Sequence, residues 1–138
     1  MIFEIIGATI LSLEAIHDHL KQKVLAITPP FLITLGILSN IAKGLLLHNI
    51  LLALPTLITS FFLWKKKYMA KADVEINFAT AMLSGNPIIY FLLNNLLTSL
   101  DISKDLYILK EKKEKGYLPM ILISYLLTKL VKFSIQII

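Results

Sequence analysis

The chain has 138 residues, of which 57% are hydrophobic and 17% are charged, and its mean hydropathy is +0.75. A soluble domain usually carries about 25% charged residues. Here the charges are clustered between long uncharged runs, which is typical of an integral membrane protein. The net charge of +5 comes from lysines in short loops, without arginine, so no nucleic-acid partner is predicted. The absence of cysteine excludes disulfides, thiolate metal sites and a cysteine nucleophile.

The first half of the chain predicts three transmembrane helices. The first covers residues 2–17, and because it lacks the basic start and cleavage site of a secretory signal, a retained span is expected. The second runs from about residue 30 to 47 and begins at a proline pair, which suits a first helical turn. The third covers about 50–64, follows a tight reversal at His48-Asn49, and closes with the aromatic residues expected at a membrane interface.

The second half predicts three more helices, the first of them short. Residues 74–84 precede Gly85-Asn86-Pro87, a strong turn signal, and they cover only about 17 Å, roughly half a hydrocarbon core. The fifth helix starts at about residue 87 and becomes polar towards its end, and the sixth follows the charged loop KEKKEKG. The predicted fold is therefore all-α, a single domain over 1–138 embedded in the plasma membrane by about six transmembrane helices.

The lysines predict how this domain is oriented. The basic loops at 21–23, 65–71 and 110–115 fall on one side of the membrane if residues 74–109 form a hairpin, and the positive-inside rule makes that side cytoplasmic. Both termini then face outward. Three lysines lie towards the outer side, from which long side chains can snorkel to the interface: Lys43, Lys129 and Lys132.

Two aspartates carry the functional hypothesis. The predicted topology puts Asp18 and Asp73 on the cytoplasmic face of the membrane, each where a helix meets a loop. They are either solvated loop acids or a pair that shares one proton, because two adjacent carboxylates in a low dielectric cannot both ionise cheaply. In the second case, one carboxylate activates a water molecule while its protonated partner polarises the scissile carbonyl. Both interpretations are open from position alone.

Three stretches around these residues resemble one protein family. DHLKQKVLAI is similar to the family's aspartate followed by a basic stretch, with Asp18 at the aspartate and Lys21 and Lys23 at the basic positions, while Val24-Leu25-Ala26 stands where Ile-Pro-Asn is expected. AKADVEI is similar to GxGDVKL, with Asp73 matching, and GYLPMILISYLL is similar to the Pro-Phe motif that opens the last helix, with Pro119 matching. Over essentially the whole chain, this pattern resembles the type IV prepilin and preflagellin peptidases, which are intramembrane aspartic proteases with a GxGD motif.

The resemblance implies a function and a site. It makes Asp18 and Asp73 the catalytic pair of an aspartic endopeptidase that cleaves basic leader peptides from prepilin or preflagellin-like precursors at the cytoplasmic membrane face, without a cofactor. The lack of cysteines is similar to the compact archaeal form, which cleaves without methylating. The chain departs from GxGDVKL at three positions: Ala70 and Ala72 replace the glycines, which restricts positive φ, and Glu75 replaces the lysine. In the last motif, Met120 replaces the phenylalanine.

Polar residues beside Asp18 give weaker signals. Glu14 lies four residues earlier on the same helical face. It either extends a polar entrance for water or is a structural acid near Lys21 and loop water. His17 and His19 point to different faces of a helix, so no metal site is predicted.

The remaining polar residues are interpreted as structural. Asn94 and Asn95 lie mid-helix, where amides commonly form hydrogen bonds between helices. The alternative function is a small polytopic membrane protein without enzymatic activity, either an inactive peptidase relative or a carrier- or channel-like subunit. Carriers favour polar residues at mid-membrane and internal repeats. Acids near one interface and the absence of a visible repeat favour the enzyme.

Overall fold

The computed structural model describes residues 2–21, 25–107 and 117–137, and these ranges form α-helices without a strand. The predicted all-α class is therefore confirmed for this part of the chain. The six helices are α1 (Ile2–Lys21), α2 (Thr28–Ala42), α3 (Leu46–Lys65), α4 (Lys71–Leu83), α5 (Pro87–Tyr107) and α6 (Leu118–Ile137).

The short helix α4 stands in the middle of the bundle. It contacts each of the other five helices, which surround it in the order α1, α2, α3, α5 and α6. Nine of its 13 residues are buried, and only Lys71 is exposed. At 1.5 Å per residue, α4 is about 20 Å long, and each of the five helices around it is longer. The prediction of a short fourth helix is confirmed, and its enclosure explains how so short a helix is accommodated.

The helices alternate in direction, so that α1, α3 and α5 finish where α2, α4 and α6 begin. This end of the bundle contains Asp18 and Asp73 and is called the aspartate end. Glu14 Oε1 accepts a hydrogen bond of 2.9 Å from Thr28 Oγ1, which joins the end of α1 to the start of α2. Asp73 Oδ2 accepts one of 3.2 Å from the backbone N–H of Tyr117, which joins the start of α4 to the start of α6.

The opposite end, called the Glu4 end, contains a cluster of charges. The Glu4 carboxylate accepts hydrogen bonds from Lys43 Nζ and, at 2.8 Å, from Lys129 Nζ. The amine of Lys132 lies against the backbone at Gly85. Two of the three lysines expected to snorkel thus share one carboxylate from α1, because the fold brings the first, second and last helices together here.

The link between α2 and α3 differs from its prediction. Gly44 has a φ of +67°, its N–H donates to Ile41 O, and the N–H of Leu45 donates to Asn40 O, both at 3.0 Å. These two bonds form a Schellman motif, which ends a helix where glycine can adopt the left-handed conformation. The reversal therefore lies at residues 43–45, and the reversal predicted at His48-Asn49 was wrong.

The turn before α5 is confirmed. Gly85 has a φ of +77°, and the side chain of Asn86 accepts a hydrogen bond of 3.2 Å from the backbone N–H of Ile89. Asparagine in this position satisfies one of the free N–H groups of a first helical turn. Pro87 then begins α5, as its fixed φ favours.

A second Schellman motif ends α3, and it gives a prediction about stability. Its left-handed position is taken by Lys67, with a φ of +62°, and the N–H of Tyr68 donates to Leu63 O at 2.9 Å. Because a side chain strains this conformation and glycine does not, Lys67→Gly is expected to stabilise the fold by about 1 kcal/mol. Thermal unfolding in detergent measures the change. The control is Lys66→Gly, with an ordinary φ of −82°, which should destabilise; a loss of stability in both variants would contradict the prediction.

The outer surface of the bundle is strongly apolar. Twenty-six large hydrophobic side chains are exposed on the described residues, and none of them belongs to α4. Monomeric soluble proteins rarely expose a continuous apolar surface of this kind. Two helices, at Leu46–Lys65 and Leu118–Gln136, are long and apolar enough to cross a membrane. Only 22% and 28% of the residues in their most apolar 18-residue stretches are buried inside the bundle. The predicted count of six spans is not confirmed, since acidic residues interrupt α1 and α4 is short.

Candidate active site

Asp73 is held at the start of α4. It is the third residue of the helix, after Ala70 as the N-terminal cap, and its side chain is 1% exposed. The N-terminus of a helix carries a partial positive charge, which stabilises a carboxylate in the first turn. The backbone N–H of Tyr117, just before α6, donates a hydrogen bond to the same carboxylate. The starts of two helices therefore face Asp73. The interpretation of Asp73 as a solvated loop acid is therefore contradicted.

Asp18 lies in the last turn of α1. The predicted span ended at residue 17, but the helix continues to Lys21, and Asp18 is 3% exposed. The interpretation as a solvated loop acid is therefore contradicted for this residue as well. A carboxylate near the C-terminus of a helix meets a partial negative charge. The two aspartates thus occupy opposite helix ends, with opposite electrostatic consequences for a negative charge.

Helix register brings these two aspartates to the same level. A methyl group placed on Gly7 of α1 would lie 2.9 Å from Leu83 Cδ1 of α4, so these residues face each other. From this contact, Asp18 lies eleven residues along α1, and Asp73 lies ten residues back along the antiparallel α4. At a rise of 1.5 Å per residue, these separations are about 16 and 15 Å. Both aspartates are therefore buried at one end of the bundle and at similar depth.

Glu14 has a structural role, with partners other than those predicted. It is 5% exposed, and besides the bond to Thr28 its Oε2 accepts a hydrogen bond of 3.5 Å from the backbone N–H of Leu25. The Nδ1 atom of His17 lies 3.9 Å from the same oxygen. Glu14 therefore ties the residues before α2 to α1. The predicted contact with Lys21 lies outside the described side chains.

The two alanines of the AKAD stretch do not strain the backbone. Ala70 has an extended conformation with φ −73° and ψ 153°, and Ala72 lies inside α4. Any residue adopts these conformations, so the expected restriction from missing glycines does not arise here. Glycine within a helix also costs about 1 kcal/mol relative to alanine, which makes alanine the better residue at position 72.

The other residues of the predicted site fall around this end. Glu75 is half-buried on α4. Pro119 is in the first turn of α6, where the resemblance placed it at the opening of the last helix and where proline is tolerated. Lys21 is the last residue of α1, without a described side chain, and Lys23 lies outside the described residues.

A buried amide that the sequence analysis missed lies one turn after Asp73. Asn77 is 0% exposed; its Nδ2 donates to Ser60 Oγ of α3 at 2.6 Å, and its Oδ1 accepts a hydrogen bond from the hydroxyl of Tyr90 on α5. One amide thus joins three helices. The signal was present in the sequence, because Asp73, Asn77 and Thr80 recur at helical spacing on one face of α4.

This amide gives a testable prediction. Asn77→Ala is expected to destabilise the protein by about 1–3 kcal/mol, because it leaves the buried hydroxyls of Ser60 and Tyr90 without their partner. Tyr90→Phe should cost less, since it removes only one bond. A double-mutant cycle of the two substitutions, measured by unfolding in detergent, should give a coupling energy above about 0.5 kcal/mol. Additive effects would show that the bond contributes nothing.

The amides predicted to link helices behave differently from each other. Asn94 is buried, and its Oδ1 accepts a hydrogen bond of 3.3 Å from Ser124 Oγ of α6, which confirms the prediction. Asn95 Nδ2 donates to Phe91 O within α5 at 2.8 Å, and this residue lines a groove towards α3.

No protein-family model, curated protein or solved structure matches the chain. The likeness to the prepilin peptidases rests on the sequence motifs alone.

Proposed function

We propose that this chain is a membrane aspartic endopeptidase in which Asp18 and Asp73 form the catalytic pair. The observation that carries the proposal is the burial of both carboxylates at one end of the bundle and at similar depth. Buried acids in membrane proteins are costly and mark functional sites by default. Glu14, the third buried acid among the described residues, links α1 to the start of α2 through its hydrogen bonds.

The helix ends divide the chemistry between the two aspartates. The N-terminus of α4 stabilises a negative charge on Asp73, which suits the general base that takes a proton from water. The C-terminus of α1 disfavours a negative charge on Asp18, which suits the protonated partner that donates a hydrogen bond to the scissile carbonyl. Water attacks the carbonyl carbon, and the tetrahedral intermediate then releases the amine after proton transfer from the pair.

The surface of the bundle supports a location in the membrane. Exposed apolar side chains cover the five surrounding helices, so that lipid rather than water suits this face. At the aspartate end of α3, Lys65 Nζ lies 4.8 Å from the ring centre of Trp64, a pairing typical of a membrane interface. The described lysines around residues 65–71 belong to the same end. By the positive-inside rule, the aspartate end faces the cytoplasm and all six helices cross together.

This location suggests the substrate class. A site at the cytoplasmic interface lies at the depth where a membrane protein's polar segment joins its membrane helix. Precursors of the prepilin or preflagellin type have a basic leader followed by a hydrophobic helix, and cleavage falls at that border. The proposed substrate is therefore a membrane protein precursor of this type.

A cleavage assay tests the proposal. Membranes containing the protein are mixed with a prepilin-type precursor, and the products are identified by mass spectrometry. We expect a cut at the border between leader and helix, and its loss in both Asp18→Asn and Asp73→Asn. Cleavage that survives either substitution would exclude the pair.

The alternative, an inactive relative, is favoured by one observation. The bond between Asp73 and the Tyr117 N–H gives the aspartate a structural partner. A protein of this kind would cleave no precursor in the same assay, and Asp73→Asn would matter only for stability.

A further inference from the structure

A groove opens on the surface between α3 and α5. It has a volume of about 330 Å³ and lies on the half of the bundle towards the aspartate end. The α3 side is mostly apolar, whereas the α5 side carries polar residues at helical spacing, namely Asn95, Thr98 and Ser99. The lining residues are Ile58, Thr59, Phe62 and Leu63 of α3, and Asn95, Thr98, Ser99 and Ile102 of α5.

The hydroxyl of Thr98 lacks a partner in the described part of the chain. Thr98 is 3% exposed, and its Oγ1 has no hydrogen bond there. Several other helical hydroxyls donate to the carbonyl four residues earlier, as in Thr80 to Ile76 O at 2.7 Å, whereas Thr56 Oγ1 of α3 shares with Thr98 the lack of a partner in the described part of the chain. A buried hydroxyl without a partner is unfavourable. Rotation about χ1 exchanges its hydroxyl with its methyl group, so Thr98 can offer the hydroxyl to an occupant of the groove.

The chemistry of the groove favours a helix over a lipid chain. An acyl chain offers no partner for Thr98 or for Ser99, and polar residues that face lipid are expensive. Membrane helices associate through serine, threonine and asparagine side chains, which form hydrogen bonds across the interface. The volume accommodates a few side chains, enough for one face of one or two helical turns.

Two residues of the groove also contact the buried cluster beside Asp73. Leu63 and Ile102, which line the wall of the groove, pack against the buried cluster that includes Val74 and Tyr117. Val74 follows Asp73 in α4, and the N–H of Tyr117 donates to the Asp73 carboxylate. A helix seated between α3 and α5 would therefore contact residues that pack beside the second aspartate, a position that suits the substrate of this site.

We propose that the groove between α3 and α5 binds the hydrophobic helix of the precursor and so presents the border with its leader to Asp73. This rests on the proposed function, since it names where the same substrate docks. Thr98 forms a hydrogen bond with the precursor helix, and Ser99 lies where the two helices approach closely.

Cross-linking tests the docking separately from cleavage. The chain has no cysteine, so Ser99→Cys provides a unique thiol, and Ser134→Cys on the exposed end of α6 is the matched control. In an Asp73→Asn background, a synthetic prepilin-type precursor with one cysteine in its hydrophobic helix is expected to link to position 99 at least about tenfold faster than to position 134. Equal or absent linking, or linking of two copies of the protein through position 99, would overturn the proposal.

Kinetics give the second measurement. Ser99→Trp fills the groove and is expected to raise KM at least about tenfold with kcat within about twofold, because docking is lost while the aspartates stay in place. Thr98→Val, which keeps the shape, should raise KM about three- to tenfold, whereas Thr34→Val on the exposed face of α2 should not. Cleavage with unchanged KM would refute the groove and leave the peptidase standing. Linking at position 99, together with no cleavage by the wild-type protein, would support the groove and refute the peptidase.

Discussion

Asp73→Asn is expected to lower the rate of precursor cleavage by about 10²–10⁴-fold and to leave the protein folded, since general base catalysis contributes that much. Asparagine keeps an oxygen that can accept the hydrogen bond from the Tyr117 N–H, and it occupies the same volume at the start of α4. What it cannot do is take a proton from water. The substitution therefore separates the chemical role of Asp73 from its structural role.

Two companion variants make this comparison sharp. Asp73→Ala should lose cleavage and also about 1–3 kcal/mol of unfolding free energy, because the buried Tyr117 N–H loses its acceptor. Asp101→Asn, the same chemical change on α5, should retain cleavage. Rates are measured on purified protein in lipid, with unfolding followed on the same samples. If Asp73→Asn cleaves at the wild-type rate, Asp73 is only a structural residue.

Glu4→Gln is expected to destabilise the protein by about 1–3 kcal/mol, because it leaves two lysines of a partly buried cluster without their counter-charge. The Glu4 side chain is 15% exposed, and those of Lys43 and Lys129 are 32% and 28% exposed, so water screens the loss only in part. The substitution should leave cleavage almost unchanged in the folded protein, since the cluster lies at the end of the bundle opposite the aspartates.

A second substitution checks the cause of this effect. Glu4→Gln combined with Lys129→Gln removes one of the stranded charges and should recover part of the lost stability. Lys132→Gln alone, on the same helix, should change the unfolding free energy little. Equal stability of Glu4→Gln and the wild type would mean that the cluster contributes nothing to the fold.

The helices could be predicted from sequence because apolar runs and turn residues are local signals. The turn at Gly85-Asn86 and the shortness of α4 were found in this way, and both are confirmed. The end of α2 was missed because the hydrophobic run continues through Gly44, while the helix stops where glycine can turn left-handed. Asp18 was placed at a junction with a loop because polarity was taken as the end of the helix, although charged residues extend helices beyond the apolar core.

The contacts between distant residues could not be predicted from one sequence. Glu4 and Lys129 lie at opposite ends of the chain, and a count of loop lysines cannot show that a carboxylate neutralises one of them. Asn77 was passed over because an amide in an apolar segment has no evident partner until the fold supplies Ser60 and Tyr90. The two aspartates stood out in the sequence, and their similar depth follows from helix register rather than from spacing in the chain.

The central position of α4 has a consequence for how the protein is made. A helix that contains Asp73, Glu75 and Asn77 gains little by entering lipid alone, since each charge opposes insertion by about 2.5–3.5 kcal/mol at the membrane centre. Insertion of α4 becomes favourable only when the surrounding helices pack against it. Asp73 accepts a hydrogen bond from the backbone N–H of Tyr117, which the ribosome delivers after α5. Asp73 therefore gains this partner only when synthesis reaches the start of α6, and a chain that stops earlier would lack it.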